Sequence, residues 1–370
     1  MRERKIDIFR SIAMIWVILI HSLFWTSTFM PGVKGFTFIT FLLFEMPLFF
    51  FVAGASNSFS TKSSTMKFYF SRFQRILIPY WIYSAFCVVL TLLLYSDRIE
   101  NVGKFIVNWI VPMNKQSSPL KFLSGALWFI PIYLMTMIVF PLLRKFYTHK
   151  KSRYVKYLPI VATPIIMGIL DVITITKDWH GSAATCIKSF VFYSFWIYLG
   201  MFYKQLFTKK KVAQGIVLVV VSCIVFILLG KSEYYTFNMQ ENKGPTSLIF
   251  FVFSLIDMGI LYLLSDFIVA IYEKLAAIKL FRFVLEQYQR HCFTIYLFHQ
   301  VSLQLIYAFL QKTNAEGYLA SYPIIKVLFY FLTSLVLSAI LGKVFGFIEN
   351  IKINPSFLRK EKTPEGQTDS

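Results

Sequence analysis

Runs of about twenty apolar residues, each long enough to cross a bilayer core, recur along the whole chain. Ten such runs lie near residues 6–25, 36–56, 76–96, 122–143, 155–176, 185–203, 212–230, 246–269, 290–311 and 322–348. No internal repeat is visible and no second domain has room. Apolar residues make up 57% of the 370, and only 15% are charged, against about 25% in a soluble domain. Soluble, disordered and fibrous classes are excluded on that ground. The chain reads as an all-α, polytopic transmembrane bundle over residues 5–349, followed by a polar tail over 350–370. The stretch 102–112 is too short to span and is expected on the surface or as a re-entrant piece. The basic and then apolar N-terminus mimics a signal peptide, but no small-residue cleavage site follows His21, so it is kept as the first span.

The net charge of +20 is read as topology and not as nucleic-acid binding. Of the 38 Lys and Arg residues, 26 fall on the N-terminus, the tail and every second loop. Examples are Arg4, Lys5, Arg72, Arg75, Arg144, Lys150, Lys204, Lys274 and Arg290. The intervening loops carry nine, among them Lys34, Arg98, Lys231 and Lys243. Both termini are therefore expected in the cytoplasm, which requires an even number of spans and agrees with ten. Cys87, Cys186, Cys223 and Cys292 lie in apolar runs without metal-ligand spacing and read as packing residues.

Ionisable side chains at membrane depth are costly, so they mark where chemistry is to be sought. In the first span Arg10 and His21 are eleven residues apart, which places them on one helix face about 16 Å apart along the axis. Asp7, three residues before Arg10, is positioned to pair with it. Glu45 sits within the second span, about 14 Å deep, and Pro47 two positions on is expected to free backbone groups that need a cavity or polar neighbours. Arg72 and Arg75 share a face at the third span, and their guanidinium groups suit phosphate. Tyr296 and His299 share a face in the ninth. Asp257 in the eighth reads as a packed, hydrogen-bonded residue. His149, His180 and His291 sit in loops or at span ends and receive no role.

These residues resemble the acyltransferase 3 family of bacterial membrane proteins. The matching pieces, in the family's order, are Asp7, Arg10 and His21; the run PLFFFVAG from Pro47 to Gly54; and Arg72-x-x-Arg75-Ile-Leu-Ile-Pro79. Leu127-Trp128-Phe129-Ile130 and Tyr296-Leu-Phe-His299 complete the set. The resemblance spans about residues 5–345 and implies transfer of an acyl group, commonly acetyl, from cytoplasmic acyl-CoA to hydroxyls of cell-surface or exported carbohydrate. It carries the family's Arg and His onto Arg10 and His21, and its paired arginines onto Arg72 and Arg75. Many relatives read Leu-Ser-Gly where this chain has Val52-Ala53-Gly54, so that hydroxyl is missing. Some relatives are fused to an extracytoplasmic hydrolase-like domain. This chain stops after its tenth span, so the expectation is that it acts alone or hands the acyl group to a separate extracytoplasmic partner.

Together these readings assign Arg10, Arg72 and Arg75 to the phosphates of acyl-CoA, the donor substrate, with no bound cofactor and no metal. His21 is the general base, and an acyl-histidine intermediate stays open. Glu45 or His299 orients the base or binds the acceptor, Trp128 with Tyr133 a little deeper lines the acceptor mouth, and Trp128 and Tyr296 are assigned to substrate binding. The protein is thus expected in the cell membrane as a multi-pass O-acetyltransferase. The alternative is a transporter or flippase of a lipid-linked glycan, which fits buried charges and Pro-broken spans but gives no reason for the Arg10–His21 spacing. A membrane sensor, the third class, predicts nothing about thioesters. The topology has a direct check: reporters fused after Lys150 and after Lys243 should report opposite sides, and one side for both would contradict it.

Overall fold

The computed structural model describes residues 3–26, 40–59, 65–112, 119–120, 123–149, 154–179, 181–208 and 211–353. The polar tail from 354, His180, and several of the charges used for topology (Arg2, Lys34, Lys62, Lys115, Lys121, Lys150, Lys151, Arg153, Lys209 and Lys210) lie outside the described residues. Among those described, the chain is helical, with no strand. In order these are α1 (Arg4–Thr26), α2 (Glu45–Ser58), α3 (Thr65–Tyr95), α4 (Val102–Ile110), α5 (Phe129–Tyr147), α6 (Leu158–Lys177), α7 (Ser182–Met201) and α8 (Tyr203–Thr208). They continue as α9 (Val212–Gly230), α10 (Met239–Lys243), α11 (Leu248–Ala277), α12 (Lys279–Arg290), α13 (Cys292–Lys312), α14 (Ala315–Ala320) and α15 (Pro323–Phe345). Helix satisfies every backbone group within the segment, which a lipid environment demands.

Nine helical segments among the described residues are long and apolar enough to cross a membrane. The tenth expected span is α7. Its 20 residues extend about 30 Å, but Lys188 and its Tyr, Trp and Ser residues lower its apolarity. That polarity suits its place: α7 is buried between α2, α5 and α6. The parity of the spans has separate support. Glu3, Arg72, Arg290 and Asn350 line one cavity, so the start of α1, the first part of α3, the end of α12 and the last described turn meet at one end of the bundle. Lys243 and Glu45 meet on another part of the fold, with Thr40 Oγ1 accepting a hydrogen bond from Met239 N at 3.0 Å.

Several local expectations change. The third span begins at Thr65, so Arg72 and Arg75 lie inside α3, which continues through Pro79. Pro47 needs no polar neighbours: it sits in the first turn of α2, where backbone N–H groups have no intrahelical acceptor. The 102–112 stretch is α4, a surface-lying helix whose Trp109 is fully buried. Tyr80 OH donates to Trp109 O (2.6 Å) and Trp81 Nε1 to Ile110 O (3.0 Å), which ties α4 to α3. All four cysteines are free, two of them buried and two half-buried. Asp257 differs from the expected hydrogen-bonded residue. Its Oδ2 has no partner among the described residues, and Lys243, the cation of its neighbour Glu45, is already engaged.

Two features set the geometry around the site. A Cβ on Gly54 would fall 1.9 Å from Ile197 O, and one on Gly200 would fall 2.1 Å from Phe51 O. The backbones of α2 and α7 therefore touch, as small residues permit in membrane helix pairs. The glycine that ends the PLFFFVAG run is thus a packing residue. Beside this seam, Lys188 Nζ and Asp171 Oδ1 form an ion pair at 2.6 Å, with both side chains nearly without exposure. Asp171 Oδ2 also accepts from Tyr235 OH and Leu248 N, each at 2.7 Å. One carboxylate thereby fastens the 231–247 connection, which carries Lys243, to α6 and α7. Lys188→Met should cost about 3–5 kcal/mol by leaving that carboxylate uncompensated. Adding Asp171→Asn, which is neutral yet still accepts from Tyr235 and Leu248, should recover much of the loss in a thermal melt.

Candidate functional site

The site is built on α1. A cavity of about 520 Å³ opens where the start of α1 meets the turn at Glu349 and Asn350. Arg10, Arg72 and Arg75 all line it, and Arg290 joins them from the end of α12. Arg10 is held by Asp7 Oδ1, which accepts from Nη1 at 2.9 Å, and by Ser56 Oγ, which accepts from Nη2 at 2.8 Å. The Asp7–Arg10 pairing expected from the sequence is therefore present. Ser56 lies one turn beyond Ala53, so a hydroxyl missing from position 53 is provided nearby on the same cavity wall. Arg72 stacks over Phe68 at 5.6 Å and lies within electrostatic range of Arg75 and Arg10. Guanidinium groups crowded on one wall repel each other until an anion joins them, and their planar forks suit phosphate. Glu349, at the same cavity, is occupied in capping α13, accepting from Thr294 N (2.7 Å) and Thr294 Oγ1 (2.8 Å).

The cavity changes character with depth. Its inner lining is Phe49, Val52, Ala53, Phe129, Tyr133 and Tyr296. Phe49, Phe129 and Tyr296 contact one another, with centroids 5.1 Å apart for the Phe129–Tyr296 pair and 6.3 Å for the two pairs with Phe49. Tyr296 OH donates to Ala126 O, which holds its ring across the cavity end. Tyr133 therefore lines this cavity, which Trp128 does not. The physical reason is depth: it lies five residues, about 7.5 Å, further along the helix.

Beyond Tyr296 the two candidate histidines meet. His21 Nδ1 lies 2.6 Å from His299 Nε2, and the rings are nearly parallel at 11° with centroids 4.9 Å apart. His299 Nδ1 lies 2.5 Å from Tyr296 O, an atom that only accepts, so that nitrogen carries the proton. In the neutral pair His299 Nε2 is then the acceptor, and His21 Nδ1 donates to it. This leaves the lone pair of His21 on Nε2. The chain of bonds runs from the Tyr296 carbonyl through His299 to His21. It fixes the tautomer and orientation of His21 and supports the imidazolium that forms when Nε2 takes a proton. The Gln300 amide nitrogen sits against this junction, 3.0 Å from His299 Nε2 and 3.2 Å from His21 Nδ1.

Glu45 has a different neighbour. Arg10 and Ser56 form a rung between α1 and α2, and eleven residues further out on each helix lie His21 and Glu45. Glu45 is thus level with the histidine pair, but Oε1 accepts from Lys243 Nζ at 2.9 Å. Lys243 also lies over the Trp128 ring at 5.6 Å and within electrostatic range of His21. Trp128, 38% exposed, stands beside Tyr193, with centroids 6.1 Å apart. Among the described residues no group of three His, Cys, Asp or Glu side chains is placed to hold a metal ion.

The site thus combines a guanidinium-lined cavity with a histidine pair whose His21 lies about 16 Å from Arg10 along the same helix. The model of the acyltransferase domain Acyl_transf_3 matches residues 3–343. The chain belongs to the acyltransferase 3 family. No curated protein and no solved structure matches it. In this acyltransferase the sequence-assigned residues fall into three groups: Arg10, Arg72 and Arg75 around the cavity with Tyr296 on its inner lining, His21 and His299 beyond Tyr296, and Glu45 with Trp128 beside Lys243. Arg290, Ser56, Gln300, Lys243 and Tyr193 join these groups only in three dimensions. Gln300 had the one local signal, its position next to His299; Lys243 looked like any loop charge. Solid-state ¹⁵N NMR of histidine-labelled protein checks the relay: His21 and His299 should both carry their proton on Nδ1 at neutral pH, and a proton on His21 Nε2 would contradict it.

Proposed function

We propose that this membrane acyltransferase moves an acetyl group from cytoplasmic acetyl-CoA to a hydroxyl of a carbohydrate bound for the cell surface. The observation that carries the reading is the polarised cavity, with guanidinium groups at one end and Tyr296, backbone partner of His299, at the other. Arg10, Arg72 and Arg75 hold the donor's phosphates, and Arg290 adds a fourth cation to the rim. The pantetheine arm follows the apolar walls inward. The ring of Tyr296 or Phe129 turns aside to bring the thioester to His21.

In the transfer step, His21 Nε2 takes the proton of the acceptor hydroxyl as its oxygen bonds to the thioester carbon. The carbon–sulfur bond breaks, and the thiolate leaves with the proton that His21 had taken. The products are an acetyl ester and CoA thiol, with no net change in protons. His299 stabilises the imidazolium between the two halves of the step. Arg72 and Arg75 bind the donor and take no part in the proton transfer, so changing both to Gln should raise the donor KM and leave the acceptor KM where it is. An unchanged donor KM would make them topological anchors only. His21→Ala should lower transfer per folded molecule by about 10²- to 10⁴-fold while acetyl-CoA still binds. Near-normal transfer by that variant would remove His21 as the base. The reading as a whole is tested by incubating membranes with labelled acetyl-CoA and asking whether label reaches surface glycan.

A further inference from the structure

Three buried polar atoms around the histidine pair have no partner among the described residues: Glu45 Oε2, Tyr193 OH and Gln300 Oε1. Their residues are 3%, 0% and 1% exposed. An unpaired polar group in an apolar interior is destabilising, and native proteins hold few of them. Each is tied to the histidine pair or to Tyr296, the backbone partner of His299. Glu45 lies within electrostatic range of Tyr193 and Tyr296, and the Gln300 amide rests on both histidines. The Tyr193 ring is fixed by stacking on Phe50, with centroids 4.3 Å apart, and so it cannot easily swing its hydroxyl to a partner elsewhere.

We propose that these atoms, with Lys243 and the Trp128 ring, form a polyol-binding subsite that holds the carbohydrate acceptor beside His21. The assignment rests on the acyltransferase reading given above and deepens it. It also gives Glu45 a role. A carboxylate that oriented the base would have to bond to His21, but His21 Nδ1 is committed to His299, and Glu45 is turned to Lys243 instead. The groups left over match a row of sugar hydroxyls, each of which both donates and accepts. Glu45 Oε2 and Gln300 Oε1 accept only, Tyr193 OH donates, and the Lys243 ammonium has N–H bonds beyond the one given to Glu45. The half-exposed Trp128 ring offers a flat apolar edge at the mouth. A simple alkanol would fill one of these positions and leave the others unpaired.

Tyr193→Phe is the discriminating variant, because it deletes only an oxygen that has no partner. The substrate-free protein should melt no lower than the parent, so loss of folding cannot account for the effect. Purified protein in lipid nanodiscs is given labelled acetyl-CoA with methyl gluco-, galacto- or mannopyranoside, and with cyclohexanol as a ring of similar size bearing one hydroxyl. The parent should acetylate at least one of the sugars with a kcat/KM roughly tenfold or more above that for cyclohexanol. Tyr193→Phe should raise the sugar KM by up to about tenfold, as expected for one hydrogen bond, and leave the donor KM unmoved. Equal use of sugar and cyclohexanol, equal sugar KM in parent and variant, or label passing to water alone would each overturn the subsite and leave acyl transfer standing. If label leaves acetyl-CoA for no acceptor, water included, the acyltransferase reading fails and the subsite with it.

Discussion

Arg10 and His21 are eleven residues apart on one continuous helix, so their separation of about 16 Å is set by backbone hydrogen bonds and not by side-chain packing. Everything else in the site is registered to that rod. Ser56 meets Arg10 across the α1–α2 seam, which brings Glu45 level with His21. Gly54 and Gly200 let α2 press its backbone on α7, which sets Tyr193 and Phe50 against each other. α13 begins beside Arg10, where Cys292 Sγ contacts the Arg10 carbonyl oxygen at 3.8 Å, and rises to bring His299 onto His21. A shift of any one helix along its axis would change the register of the arginine-lined cavity with the histidine pair.

The buried polar groups divide into two kinds. Asp171 is matched by Lys188, Tyr235 and Leu248, and Glu316 is paired with Lys326 and accepts from Tyr330 OH. Such groups fasten helices and connections. Around the histidines the bonds are incomplete, at Glu45, Tyr193 and Gln300. Native proteins leave few buried polar atoms without a partner, so the three that gather around the histidines are candidates for a partner from outside the chain.

Much of the fold was readable because a bilayer leaves few options, and long apolar runs become helices. The pairings within one helix were readable too, since Asp7 with Arg10 and Tyr296 with His299 follow from helix periodicity. Contacts between helices were not. His21 and His299 are 278 positions apart, and Glu45 and Lys243 are 198 apart, so no local pattern links them. The arrangement also reassigned Tyr133 to the cavity, because side chains a few residues apart on one helix can serve opposite ends of a site. Pro47 misled for a related reason. Its effect depends on where α2 starts, and Glu45 is the first residue of that helix.

The central claim is that donor and acceptor reach one base from opposite faces. Vesicles of the two defined orientations, given labelled acetyl-CoA on the outside only together with a sugar acceptor on the far side, test it in one measurement. Transfer should occur only when acetyl-CoA meets the face that carries the chain ends and the arginine cavity. Equal transfer in both orientations, or transfer only from the face that carries Lys243, would contradict the account.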